Sequence, residues 1–227
     1  RRAVTLAPSM VDGWINLGLL LRSQDRLDEA EAALRQAMTL APREVRPQLA
    51  LCFLLLSRGR LTEGWPLYEA RFGPGGATAG PQGTPRWQGE PLTGRAVLIW
   101  PEQGLGDFAQ FIRYASELKR HGATRVAALC PAPLAELVRT ANGVDEVGSD
   151  PARPPAHDLW TYVCDLPRWL TPTTEAIPAW LPYLHANPRR GDPWRRRLPG
   201  GRRAGLVWKG WSSYSNDSQR SLADVTV

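Results

Sequence analysis

The residues best suited to chemistry lie in one short run, Glu102-Gln103-Gly104-Leu105-Gly106-Asp107, with Gln110 one turn further on. An apolar stretch, Ala96-Val97-Leu98-Ile99-Trp100, precedes it, and apolar residues at 108, 111, 112, 115 and 118 follow at helical spacing. That pattern reads as a buried strand, a glycine turn and a helix. In an open α/β sheet, ligands sit beyond the carboxyl ends of the strands, at turns of this kind. Gly104 and Gly106 let the backbone approach a ligand closely. Asp107 is the odd member, because a turn built for phosphate should carry no negative charge at the helix mouth. A carboxylate there fits two other roles. It can cap the helix, for about 1 kcal/mol, or it can be a catalyst.

Other chemistries fit less well. Gly104, Gly106 and Ala109 satisfy a relaxed GxGxxA dinucleotide fingerprint. Asp107 beside a pyrophosphate opposes that reading, and the second strand ends Ala128-Leu129-Cys130-Pro131, with no acid to hold a ribose. The three cysteines, Cys52, Cys130 and Cys164, form no CxxC pair, and His121, His157 and His185 lie near none of them in sequence. No metal or dithiol site is expected, and the thiols read as buried groups of a cytoplasmic protein. Residues 73–86 are rich in glycine and proline, but no Gly-Lys-Ser/Thr ends them, so they are not a phosphate loop.

The elements that must position the turn fall into two classes. Residues 1–8 read RRAVTLAP and residues 35–42 read RQAMTLAP, six identities in eight at an offset of 34. This period, with Trp14, Leu17, Gly18, Leu21, Ala30, Leu34, Ala37 and Pro42, resembles the tetratricopeptide repeat family. Leu51, Leu55, Gly59, Gly64 and Tyr68 continue it. The spacing predicts helices at 11–22, 27–40, 45–57 and 61–72. From residue 96 the pattern alternates. Strands are predicted at 96–100, 125–130, 144–147, 158–163 and 204–208, and helices at 107–121, 132–140 and 166–170. The fold class expected is therefore α + α/β. The domains are helical repeats over 1–72, a linker and lead-in turn over 73–95, an α/β domain over 96–188, a basic linker over 189–203 and a further strand and loop over 204–227.

Composition fits a soluble globular chain, 43% hydrophobic and 22% charged, with no apolar run long enough to span a membrane. The net charge of +6 is carried by residues 189–203, which hold seven arginines against Asp192 alone. Arginine, proline and glycine dominate that stretch, which reads as a solvated linker. No nucleic-acid partner is expected.

Further motifs accompany the turn: Trp87-Gln88-Gly89-Glu90-Pro91-Leu92 before it, Gln110-Phe111 and Arg113-Tyr114 after it, then Gly205-Leu206-Val207-Trp208-Lys209-Gly210, Asn216-Asp217 and Arg220-Ser221-Leu222. Taken in order, they resemble bacterial tetratricopeptide proteins with a C-terminal glycosyltransferase domain similar to the heptosyltransferases and, more distantly, the O-GlcNAc transferases. The resemblance implies two Rossmann-like domains facing across a cleft, the first for the acceptor and the second for a nucleotide-sugar, with no other cofactor. It implies that Asp107 is the catalytic base and that Glu102, Gln103, Gly104, Gly106 and Gln110 line the turn and acceptor site. Lys209, Ser212, Ser213, Asn216, Arg220 and Ser221 would face the donor diphosphate, and the repeats would take a peptide or protein partner. Only one strand and loop of the donor-side domain fall within the chain. It is therefore expected to be a piece of a longer protein, inactive alone. The rival expectation is a non-catalytic interaction scaffold with a degenerate α/β domain.

Overall fold

Helix α1 (Arg2–Leu6) leads into two helix pairs, α2 (Val11–Ser23) with α3 (Leu27–Leu40) and α4 (Val45–Ser57) with α5 (Leu61–Tyr68), in a computed structural model that describes residues 2–73, 80–198 and 200–202. The predicted helices match these closely. The 34-residue period reaches well below helix boundaries. Asp25 and Gly59, 34 apart, both turn the chain through left-handed conformations, at φ 58° and 73°. Arg26–Glu29 and Arg60–Glu63 form the same ion pair at the start of α3 and α5. Trp14 donates to the Pro8 carbonyl and Gln48 to that of Pro42, at 2.8 and 2.7 Å. The pairs also bond to each other, with Arg58 and Arg60 donating to Glu31.

Small residues set how closely each pair packs. A Cβ on Gly18 would lie 2.6 Å from Leu34 Cγ, and one on Gly64 would lie 2.7 Å from Leu56 Cδ2. Leu21, Ala30, Ala33, Leu34, Leu51, Leu54 and Leu55 fill the seam.

The second half is built on four parallel strands, β1 (Ala96–Trp100), β2 (Arg125–Leu129), β3 (Glu146–Gly148) and β4 (Leu159–Tyr162), in the order β3-β2-β1-β4. Alternate residues serve two cores, as the period of two demands. Val97, Ile99, Val126 and Ala128 join the larger cluster with Phe108, Ile112, Leu118 and Val138. Leu98, Trp100, Leu129, Trp160 and Tyr162 form the smaller one on the other face. Helices α6 (Leu105–Phe111) and α7 (Ala115–Arg120) connect β1 to β2, α8 (Ala135–Val138) follows β2, and α9 (Leu166–Leu170) follows β4.

Apart from one-residue shifts at element ends, the structure departs from the sequence reading in five places. The strand expected at 144–147 forms two residues later, at Glu146–Gly148. The helix expected at 61–72 tightens to a 3-10 turn after Tyr68, one turn beyond Pro66, which lacks the N–H a helix interior needs. The helix expected at 107–121 begins at Leu105 and is interrupted by a 3-10 turn at Ile112–Tyr114, where Arg113 Nε takes the Gln110 carbonyl. The helix expected at 132–140 opens as a 3-10 turn, Ala132–Leu134, before α8. The basic stretch read as a linker carries a helix, α10 (Pro188–Arg197), with proline at the first position, where its missing N–H costs nothing.

The described residues 80–95 pack against the sheet. Trp87 is buried and donates to the Glu90 carbonyl, Leu92 is fully buried, and Arg86 bridges in parallel to Trp160 at the edge of β4. By contacts the chain divides into two units, Arg1–Asn187 and Pro188–Val227. Among the described residues no helix is long and apolar enough to cross a membrane.

Candidate functional site

In the order β3-β2-β1-β4, strand β1 has its successor β2 on one side and β4 on the other. The carboxyl ends of β1 and β4 are therefore neighbours, and ligands of open α/β sheets sit beyond the carboxyl ends of the strands. The turn Pro101–Gly104 leaves β1 there, and a 3-10 turn, Val163–Asp165, leaves β4.

Gln103 makes the turn possible by adopting φ 61°, a left-handed conformation that non-glycine residues rarely hold. Two residues further, α6 begins. The Asp107 Oδ2 accepts the Gly104 N–H at 3.0 Å, so the carboxylate does stabilise the helix start. Its Oδ1 has no hydrogen-bond partner among the described residues. Gly106 lies in open space, where an added Cβ would meet nothing within 4 Å. No neighbour in the described structure therefore requires a glycine there.

Asp107 and Gln103 line a groove of about 360 Å³. Its opposite wall comes from the helix pair α4–α5: Phe53, Leu56, Trp65 and Tyr68. A second cavity of about 240 Å³ adjoins it, sharing Leu56, Trp65 and Phe111, and contains Gln110. The helical array thus supplies half of the groove that the turn opens into. The Trp65 Nε1 is buried without a hydrogen-bond partner among the described residues. Phe53 and Tyr68, and Trp65 and Tyr68, meet edge to face.

Glu102 behaves differently from its neighbours. It is buried behind the turn, and both of its oxygens are held by Arg71, at 2.5 Å from Nε and 3.0 Å from Nη2. Arg71 also binds Asp165, which is fully buried. Asp165 accepts from Arg86, Arg86 from its other side holds Glu69, and Glu69 binds Arg168. Three arginines and three carboxylates therefore alternate in one chain, drawn from the 3-10 turn after α5, the lead-in segment, the β1 turn, the β4 turn and α9. The Arg71 guanidinium also lies 3.9 Å from the Tyr68 ring centroid and 4.0 Å from that of Phe72. Burial opposes the charge on Arg71, but the bonds and charges of Glu102 and Asp165 outweigh it and hold the guanidinium more firmly protonated. Burial likewise pushes the Glu69 carboxyl up, and Arg86 and Arg168 more than reverse this, leaving it below the usual range. Removing one member of such a buried set would strand its partners, at about 3–5 kcal/mol.

The three thiols differ in place: Cys164 lines the groove, and Cys52 and Cys130 lie in the cores. All three are buried and free; burial pushes Cys130 up to about 11, Cys52 to about 12 and Cys164 further still. His157 bonds to Thr84 and to the Pro155 carbonyl, and His121 lies against the Glu117 carbonyl. Among the described residues no cluster of His, Cys, Asp or Glu could hold a metal ion.

Of the residues read from sequence, Gln103 and Asp107 share the groove, Gly104 donates its N–H to Asp107, Gly106 lies beside Asp107 in open space, Gln110 lines the adjoining cavity and Glu102 serves the charge chain behind it. Lys209, Ser212, Ser213, Asn216, Arg220 and Ser221 lie outside the described residues. The sequence reading missed Arg71, Asp165 and the aromatic wall. One signal was present: Asp165 interrupts the apolar run Val163-Cys164-Asp165-Leu166-Pro167, and a charge in such a run is buried only if paired.

No protein-family model matches the chain. It is 30% identical over 172 residues to Protein FlbA of Caulobacter vibrioides, a match that takes in 66% of this chain. The chain spans 29% of the length of that curated relative. A solved structure of a Thermobaculum terrenum O-GlcNAc transferase variant is similar over 67% of this chain and 37% of its own, at 17% identity and a TM-score of 0.27.

Proposed function

We propose that this chain is the acceptor-side part of a glycosyltransferase in which Asp107 is the general base. The helix pairs are read as tetratricopeptide repeats, and the parallel sheet as the first of two Rossmann-like domains. The observation that carries the proposal is the position of Asp107. Its carboxylate stands beyond the carboxyl ends of β1 and β4 and lines an open groove, beside a glycine with free space before it. One oxygen caps α6 and so fixes the group; the other remains to accept a proton. Capping and catalysis are then compatible roles of one side chain.

An acceptor hydroxyl held in the groove would lose its proton to Asp107 as it attacks the anomeric carbon of a nucleotide-sugar. The carboxylate would also favour the positive charge that develops on the sugar ring. Lys209 and Arg220 are assigned to the leaving diphosphate, with Ser212, Ser213, Asn216 and Ser221 as hydrogen-bond donors. No cofactor beyond the nucleotide-sugar substrate is required. The repeats are assigned a peptide or protein partner, and the protein a cytoplasmic location.

The test uses the full-length protein with UDP-, GDP- and ADP-linked hexoses, reading released nucleoside diphosphate. Asp107→Asn keeps an oxygen for the Gly104 N–H and should fold normally, while transfer falls about 10²- to 10⁴-fold. Undiminished transfer by the folded variant would remove Asp107 from the mechanism.

A further inference from the structure

We infer that Arg71, at the end of the helical array, is a positioning residue for Asp107, so that the array is a working part of the catalytic site. The inference rests on the reading of Asp107 as the base. Arg71 grips both oxygens of Glu102, and the two side chains are only 7% and 3% exposed. Glu102 is joined directly to Gln103, the residue in the left-handed conformation. The next residue, Gly104, donates the N–H that holds Asp107. Each link is short and leaves little freedom: guanidinium to carboxylate, carboxylate to a constrained backbone, backbone amide to the reactive carboxylate.

Arg71 is itself well fixed. Asp165 pins it from the β4 side, the Tyr68 carbonyl accepts its Nη1, and the rings of Tyr68 and Phe72 lie against its plane. A planar fork with several donors suits this place, and a lysine does not reproduce it. Arg71 lines the groove but its charge is engaged by Glu102 and Asp165. Its effect on the acceptor therefore runs through the turn.

The experiment compares Arg71→Met, Arg71→Lys, Glu102→Gln, Asp107→Asn and the Arg71→Met/Asp107→Asn pair in the full-length protein. Two readouts are needed. Turnover of the nucleotide-sugar probes separates kcat from KM, and hydrogen exchange is followed over residues 101–108. For Arg71→Met the expected result is a kcat about 100-fold lower, since loss of placement by about 1 Å costs that much. The KM for the nucleotide-sugar should stay unchanged, and exchange over 101–108 should accelerate while β2 stays protected. The double variant should be no slower than Asp107→Asn alone, because both changes remove the same function. Arg71→Lys should recover part of the kcat. If Arg71→Met does not fold, Glu102→Gln, which keeps shape and one acceptor, carries the same test with a smaller fall in kcat.

The inference is overturned if a folded Arg71 or Glu102 variant keeps its kcat and its protection at 101–108, or if the double variant loses the product of the two single effects. Failure of the underlying reading looks different: Asp107→Asn would then turn over normally, whatever happens at Arg71.

Discussion

Gly18→Ala sets two opposed effects of known size against each other. In an exposed helix interior, alanine is better than glycine by about 1 kcal/mol. Gly18 is not such a site. Its Cβ would stand 2.6 Å from Leu34 Cγ, 2.8 Å from Leu34 Cδ2 and 3.3 Å from the Ala30 carbonyl oxygen. Leu34 is fully buried, and the seam around it is filled by Leu21, Ala30, Leu51 and Leu55, so it has nowhere to retreat. Forcing a methyl into such a core costs about 1–3 kcal/mol, leaving a net loss of up to about 2 kcal/mol after the propensity gain of about 1 kcal/mol. With a urea dependence of about 2 kcal/mol/M, within the usual range of about 1–3, the unfolding midpoint should fall by up to about 1 M. Far-UV circular dichroism reads it directly. Leu34→Ala in the same background should relieve the clash, so that the double variant is more stable than the sum of the two losses by about 1 kcal/mol or more. A raised midpoint for Gly18→Ala would mean that α2 and α3 cross more loosely than described, and the packing argument would fail.

Gly106→Ala makes the opposite prediction: its Cβ enters open space, so the stability should hold or rise by up to about 1 kcal/mol, while turnover of the nucleotide-sugar probes falls. Glu31 carries a pH prediction. Burial raises its carboxyl, but the bonds and charges of Arg60 and Arg35 prevail and leave it below its ordinary value. Its contribution is thus complete above the unfolded value of about 4.3 and lost as pH falls through the lower folded value. Thermal melts should steepen below that point in the parent and flatten in Glu31→Gln; identical acid profiles would refute the assignment. At pH 8 the buried thiols, raised to about 12 at Cys52 and about 11 at Cys130, should resist iodoacetamide until urea exposes them, as intact mass will report.

The sequence made the helical half legible almost to the residue because its signals are local and repeated. A 34-residue period places α2, α3 and α4 to within a residue, and the left-handed turns at 25 and 59 and the bonds of Trp14 and Gln48 to the prolines before them repeat with it. The strands were also visible, since Val97, Val126 and Leu159 head short apolar runs. What remained hidden depends on contacts far apart in the chain. Arg71 meets Glu102 across 31 residues and Asp165 across 94, and no local pattern encodes either pairing. The same holds for the groove wall. Phe53, Trp65 and Tyr68 read as ordinary helix-face residues until the sheet is placed beside them. Asp107 was read from sequence as either cap or base, and its bond to Gly104 explains why neither reading could displace the other.

The lead-in segment has a practical consequence for how the molecule can be divided. β4 ends the sheet on one side, and its outer edge is closed by residues 85–87: Trp160 N–H donates to Pro85, and Trp87 N–H donates to the Trp160 carbonyl. Strand β1 starts only at Ala96, so a cut just before it looks natural on a diagram. A chain trimmed there would lose Trp87 from its interior and leave the outer edge of β4 unpaired, a ready template for self-association. Dissection should therefore begin no later than the segment that hems this edge, and a soluble, monomeric α/β half is to be expected only when that hem is kept.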